Sequence, residues 1–537
     1  MLPAMRLALL FLILAHIGCK RPPTVVEVAV PWPGATTTSV DEQLLEPLEK
    51  ALGGLPRLVD VSSEARPQLG LVRVAFAGGT DPWEARTTVL AQLNTATLPD
   101  GVIPSLLAPS GPPAFRFSVT SEQLTSVELR AQAEHLRRVL LTTPGLTEVR
   151  LCGGAVDQLE IRVDPARASA LGLTMLDLAA ALNRQDLNTP SVLQRGPDAF
   201  VVRGASMAPP SLDAVVGRHA DTAIQLRDVA VLTTAAKPTA CSALVDGKPA
   251  VVGEIALRPG SDRAQLRSLV TASLGGQAHH PAAKVALLDD ATATFQLRLP
   301  AGSQPDALRL LAKTLDTSAV SPGVRSVLVE VGAEEHGATN QARLVIVGDP
   351  AELAVIDARL RKLPSVLIVD VDGAPSLRSH SLTLLGADRD TLRRYAHSLA
   401  DRKGILSEGL TDFTPELEAE VDRATAARLG VSAADVVETF RYSGDGHALR
   451  TELLESRQRE LVMRAYSDGP SPLYALTVAG SNGARVPLSL LLNLRHVNHP
   501  SLLLRENGQP MVRIRWFGTE RPKLPPLPAG LTARFDP

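Results

Sequence analysis

No charge of one sign dominates this chain. Its 55 Lys and Arg residues stand against 57 Asp and Glu, a net charge of −2, which disfavours a nucleic-acid partner. Beyond the amino-terminal segment, no stretch is long and apolar enough to span a bilayer. The leucine-rich run from Pro487 to Leu494 is short and is broken by Ser489 and Asn493. Nucleophile elbow, paired-acid motif and phosphate loop are all missing, so no motif supports an enzyme and no cofactor is expected. Asp445-Gly-His447 reads as a polar turn. Aromatics are scarce at 3%, and only three cysteines occur, Cys19, Cys152 and Cys241.

What is present suits a folded protein of several units. The 537 residues are too many for one core and suggest two to four domains. A hydrophobic content of 45%, with 41 prolines and 39 glycines, fits many short strands and turns.

The amino terminus reads as an address. Arg6 precedes an apolar run from Leu7 to Ile17, then Gly18-Cys19-Lys20. The run is too short to span a bilayer and fits a signal peptide over 1–18. The Gly-Cys junction resembles a bacterial lipoprotein cleavage site, although His16 stands where Leu is usual. Cys19 is therefore the expected lipid attachment point. The alternative is an ordinary secretory signal with Cys19 incidental. Lys20 is not the Asp that retains many such proteins at the inner membrane, which favours the outer membrane.

One pattern occurs twice. Val163 to Leu182 and Val421 to Phe440 share Asp164 with Asp422, Gly172 with Gly430, and Asp177 with Asp435, each pair 258 residues apart. Each copy reads as a strand end, a short helix stopped by Gly, and a second helix capped by Thr or Ser. Val245-Asp-Gly-Lys-Pro-Ala-Val251 and Glu506-Asn-Gly-Gln-Pro-Met-Val512 repeat as well, with Gly247 and Gly508 261 residues apart. Both read as hairpins. Two nearly equal offsets at separated points mean a duplicated architecture.

The hydrophobic periods give the units. Strand Val25–Val30, a helix from an Ser39 cap to Leu52, strands near 58–62 and 71–76, and a helix opened at Thr80-Asp-Pro form a βαββα unit that needs one more strand. A second unit begins with strand Phe115–Val119 and a helix over 121–141, with strands near 146–151 and 158–163. Short strands follow at 200–203 and 224–230. A third reads as a full βαββαβ from Thr294 to Val371. A fourth starts at Ser381–Leu385. The fold class is α+β: tandem duplicated ferredoxin-like (βαββαβ) units with two inserted segments. In the first half a helix near 263–273 follows the hairpin. In the second, the four prolines from Arg521 to Pro528 exclude a regular helix. The fourth unit is therefore expected to have one helix where the second has two. The sheet face left thinly covered would meet a partner chain, another copy or the proline segment itself.

With these residues in view, the chain resembles the extramembrane porter and docking regions of resistance–nodulation–division (RND) efflux transporters. Trp32-Pro-Gly-Ala35, Glu46-Pro-Leu-Glu49, Phe76, Gly79-Thr-Asp81 and Ala85-Arg86 look like the first porter subdomain. Pro144-Gly-Leu146, Gly153-Gly154, the Val-Asp-Pro stretch and Leu226-Arg-Asp-Val-Ala230 continue the likeness in order, from Pro23 to Phe517. The resemblance implies porter units at 24–113, 114–165 with 240–289, 290–378, and 379–421 with 502–537. It implies docking-like inserts at 166–239 and 422–501. In that family, membrane helices precede and follow each half, whereas Asp290 here runs almost directly into the next strand. The family's proton-relay carboxylates lie in those helices, so no residue here inherits that role.

In the resembled transporters, the loop matching Gly332–Asn340 borders the substrate cleft. Glu334, Glu335, His336 and Asn340 are thus the candidate cleft residues. They read either as contacts for a metal or cationic ligand or as a solvated hairpin tip. No metal site is expected. The pair His279-His280 reads as exposed loop, and Met175, Met207, Met463 and Met511 are scattered as packing residues would be. In an oxidising compartment Cys152 and Cys241 form a candidate disulfide; two buried thiols are the alternative.

The expectation is a non-catalytic envelope lipoprotein on the periplasmic side, lipid-anchored and without its own proton-coupled transport. It would bind an efflux adaptor or outer-membrane channel, another copy of itself, or a small ligand. The rival is a solitary periplasmic ligand-binding lipoprotein with no efflux partner.

Overall fold

A computed structural model describes residues 23–107, 113–184, 191–195, 198–202, 211–219, 222–237, 241–258, 260–275, 280–298, 305–332, 341–363, 366–400, 405–410, 413–444, 446–454, 457–466, 474–517 and 521–536. They fall into two compact units. The larger comprises Met1–Gly154, Thr239–Pro415 and Asn498–Pro537; the smaller comprises Ala155–Pro238 and Glu416–Val497.

The strands and helices of the larger unit fall into four successive α/β modules, of which the first and third run βαββαβ in full among the described residues. In the first, strands Thr24–Pro31, Leu58–Arg66 and Leu69–Phe76 form a sheet. The missing sixth element is the two-residue strand Ser105–Leu106, which pairs with Ala29 and Val28. The first helical stretch starts at Thr37, capped by Thr36 rather than by Ser39, and makes a π turn over Asp41–Leu45. The helix Pro82–Leu93 begins where Asp81 accepts the N–H groups of Trp83 and Glu84, with Pro82 in a turn that needs no donor. Leu44, Leu48, Leu52, Val89 and Leu93 seal one face of this sheet. Each such side chain contributes about 1.5–3 kcal/mol when removed from water.

The helix expected over 121–141 starts later, at Ser126. Thr125 and Glu128 form a reciprocal capping box there, and Ser121 bonds the backbone of the preceding turn. The third module runs from strand Ala293–Arg298 through helix Pro305–Ala319 to strand Leu367–Asp372, in the expected order. In the fourth, among the described residues, Arg389–Ala400 is the one helix of the larger unit between strands Ser379–Gly386 and Leu531–Phe535. The proline segment takes the place of the second helix. Pro525 accepts the Tyr395 hydroxyl at 2.8 Å, and Leu524 packs on the core.

The modules join in crossed pairs. Hairpin strands Cys241–Val245 and Lys248–Leu257 belong to the second module, yet the first of them pairs with Val324–Gly332 of the third. Hairpin strands Leu503–Glu506 and Gln509–Phe517 belong to the fourth, and the first of them pairs with Leu58–Arg66 of the first. Among the described residues, two nine-stranded sheets result. Both turns need two residues of positive φ: Asp246 with Gly247, and Asn507 with Gly508. Asp246 Oδ1 accepts the N–H of Val327 at 2.8 Å, and Asn507 Oδ1 accepts that of Val61 at 3.0 Å. Each repeated turn thus clamps the second strand of a neighbouring module. Beside the second clamp, Arg505 Nε donates to Glu49 at 3.0 Å, and burial raises the pKa of Glu49.

The smaller unit gathers both inserted stretches. Expected as separate subdomains, they share one four-stranded sheet and one apolar core. Strand Asp157–Val163, assigned from sequence to the second module, pairs instead with Ala230–Ala236 and, in parallel, with Arg457–Ala465. The segment 224–230, expected as one strand, is broken by the short helix Leu226–Val229, where Asp228 accepts the N–H of Gln225 at 2.7 Å. In the duplicated stretch, Thr174 and Ser432 accept N–H groups at the start of the second helices. Gly172 and Gly430 hold positive φ between the helices.

Candidate functional site

The sheet shared by the second and third modules has two unlike faces. Strand alternation sends Phe117, Val119, Val251, Ile255, Val329 and Leu344 towards helices. The other face carries a smaller apolar cluster of Ala243, Val245, Ala250, Val252, Leu328 and Val345. It also carries charge where a buried strand would ordinarily be apolar.

Glu330 is 3% exposed and lies across the strand pair from Arg343, whose Nε donates to Glu330 Oε2 at 2.7 Å. The same guanidinium reaches Glu254 at 2.7 Å, and Arg116 Nε donates to Glu254 at 3.0 Å. The four side chains form a chain of two carboxylates and two guanidinium groups. Burial pushes Glu330 above the usual carboxylate range. Burial alone would lower Arg343, but the adjoining Glu330 and Glu254 more than offset it and raise its pKa.

Arg116 also borders a cavity of about 170 Å³, lined by Leu287, Leu288, Asp289, Ser326, Leu328, Val345 and Val347. Its walls are largely apolar, with one cationic and one anionic side chain. Ser326 Oγ bonds Asp246 Oδ1 at 3.0 Å, so the hairpin turn fixes one edge. Asp289 lies 3.9 Å from both Arg267 and Arg325. The recess is smaller than the roughly 300–1,000 Å³ of an ordinary ligand pocket, so it has room for a ligand of only a few atoms.

Cys152 and Cys241 sit on the same face and are joined by a disulfide, with Cα atoms 5.4 Å apart and a sequence separation of 89. Cys241 pairs with Gly332, where the candidate cleft loop departs. Glu334, Glu335, His336 and Asn340 themselves lie outside the described residues, as does Cys19. Gly332 and Gln341, which flank that loop, are at the opposite end of their strand pair from Ser326 and Val347 at the cavity.

Among the described residues, no group of three His, Cys, Asp or Glu side chains could hold a metal ion. His279 is outside them, and His280 Nδ1 accepts the N–H of Ala282 at 3.2 Å. Met175, Met463 and Met511 are buried; Met207 is outside the described residues. Asp445 is likewise outside, and His447 stacks edge-on to Tyr442. Sequence reasoning missed the Arg116–Glu254–Arg343–Glu330 chain. Its signal is a charge inside an apolar strand, as in Val327-Leu-Val-Glu-Val331.

The fold resembles two crystal structures of a heavy metal efflux pump. Crystal form II aligns with a TM-score of 0.82 at 15% identity, covering 98% of this chain and 82% of that one. Crystal form I aligns with a TM-score of 0.79 at 16% identity, covering 96% and 80%. In sequence, the chain is 27% identical over 248 residues to the cation efflux system protein CzcA of Alcaligenes sp. (strain CT14). It is also 27% identical over 248 residues to the cobalt-zinc-cadmium resistance protein CzcA of Cupriavidus metallidurans. Each match covers 43% of this chain and 23% of the relative, so the aligned part is about a quarter of those proteins. The model of the AcrB/AcrD/AcrF family matches residues 20–295 and 353–521, most of the length. The chain therefore belongs to the AcrB/AcrD/AcrF family, the RND-type transporters.

Proposed function

We propose that this chain is a non-catalytic porter-and-docking module on the periplasmic side of the envelope, anchored by lipid at Cys19. It binds an efflux adaptor or an outer-membrane channel, or a small ligand at the cavity beside Arg116, and does not couple transport to protons. The observation that carries this reading is the joint between the halves. Strand Lys284–Leu287 is followed after five residues by strand Ala293–Arg298. In the transporters that the sequence resembles, membrane helices occupy that place. Among the described residues no helix is long and apolar enough to cross a membrane. Proton-coupled carriers need titrating groups within the membrane.

The names of the relatives make metal cations one ligand class to try. The apolar walls with Arg116 and Asp289 better suit a small organic molecule with charged ends. The cavity also favours a second reading, a solitary ligand-binding lipoprotein without efflux partners.

Two measurements test the proposal. Membrane fractionation of Cys19→Ser, with the mass of the mature amino terminus, tests the anchor; unchanged retention and an unacylated wild type contradict it. Liposomes containing the chain should show no proton flux on adding a substrate, and acidification contradicts the reading.

A further inference from the structure

The amino-terminal strand is fastened at one end of the first module. Thr24 pairs with Phe76, and its Oγ1 donates to the Thr80 carbonyl at 2.8 Å. Thr80 immediately precedes Asp81, the cap of the helix Pro82–Leu93. Trp83, in the first turn of that helix, is 77% exposed. Trp516, by contrast, is buried and Trp32 packs partly against the core.

The same end presents more of this character. Val59 is 62% exposed, bulged out between Leu58 and Asp60 where they pair with Phe76 and Ala75. Arg57 is exposed, and its carbonyl accepts the N–H of Ala77 at 2.9 Å. Two apolar side chains and a cation therefore stand where the chain enters the first sheet.

The duplicate supplies an internal comparison. Gly348-Asp-Pro-Ala351 repeats Thr80-Asp-Pro-Trp83 in the third module. Asp349 accepts the N–H of Ala351 at 2.9 Å, as Asp81 accepts that of Trp83 at 2.9 Å. The cap works equally with alanine, so it does not call for the indole. The third module follows an internal connection, whereas the first follows the segment that carries Cys19.

We propose that Trp83, with Val59 and Arg57, rests on the phospholipid surface that holds the lipid anchor. This inference depends on the anchor reading given above. Four residues separate Cys19 from Thr24, and the five steps between them reach at most about 18 Å when fully extended. That tether includes Lys20 and Arg21. Basic residues near a bilayer are drawn to anionic headgroups, and an indole settles at the boundary between headgroups and acyl chains. A short tether holding Thr24 near the membrane brings Trp83 within reach of that boundary.

The test couples the chain from Cys19 onward to vesicles of phosphatidylethanolamine and phosphatidylglycerol bearing a maleimide lipid. Cys19 is the thiol outside the Cys152–Cys241 bond. Brominated acyl chains quench tryptophan that reaches the bilayer. Quenching and a shift to shorter wavelength in the wild type, both lost in Trp83→Ala of unchanged circular dichroism, are the expected result. No quenching, or equal quenching in both, overturns the proposal. Chemical coupling makes this outcome independent of acylation in cells, which the mass of the mature amino terminus reads separately.

Discussion

Gly253 lies directly across from Phe117 in the second module, and the phenyl ring occupies the space that a side chain at 253 would need. A Cβ there would stand 2.0 Å from the ring. In the fourth module Ile514, also six residues after its hairpin glycine, faces Leu382. The duplicates thus solve one packing position in opposite ways, small against large and medium against medium.

Gly253→Ala should therefore destabilise the larger unit by about 1–3 kcal/mol, the usual effect of overpacking a filled core. Urea denaturation measures it. Adding Phe117→Leu should recover part of the loss, because the two side chains compete for one volume. A double variant no better than the sum of its parts contradicts this.

Glu330 makes stability depend on pH in a direction unusual for an ion-paired carboxylate. Burial raises its pKa above the ordinary value of 4.5. The folded chain then holds the proton more tightly than the unfolded one. Its contribution is complete below 4.5 and is lost as pH rises through the raised value. Glu330→Gln removes this dependence. The stability of the wild type relative to Glu330→Gln should fall as pH rises through that window. A constant difference, or one growing with pH, contradicts the assignment.

The bond between Cys152 and Cys241 encloses 89 residues in sequence separation. In the chain-entropy model such a loop stabilises by about 4 kcal/mol. The double variant Cys152→Ser with Cys241→Ser should show a lower urea midpoint than the oxidised protein and the same midpoint with or without reductant. Non-reducing mass spectrometry of periplasmic material checks the pairing, and two free thiols there contradict it.

The sequence made much of this architecture legible through its repeats. Asp164, Gly172 and Thr174 announced two helices and the turn between them, and the same logic held for Asp422, Gly430 and Ser432. The four prolines after Arg521 correctly forbade a helix, and Tyr395 shows what the segment meets. Local signals failed where long-range pairing decides. Nothing near Asp157–Val163 says that its partner is Arg457–Ala465, about 300 residues away. Asp246-Gly247 announced a turn but not the clamp on Val327. The charges at Arg116, Glu254, Glu330 and Arg343 are spread over four strands, and only the register of the sheet brings them together.

The most direct test of the central claim is affinity capture of the tagged chain, crosslinked in intact envelopes of its own bacterium, with identification of the bound proteins by mass spectrometry. The account predicts an efflux adaptor or an outer-membrane channel among them, lost when crosslinking is done after the envelope is dissolved. Recovery of the folded, membrane-bound chain with neither partner would contradict it.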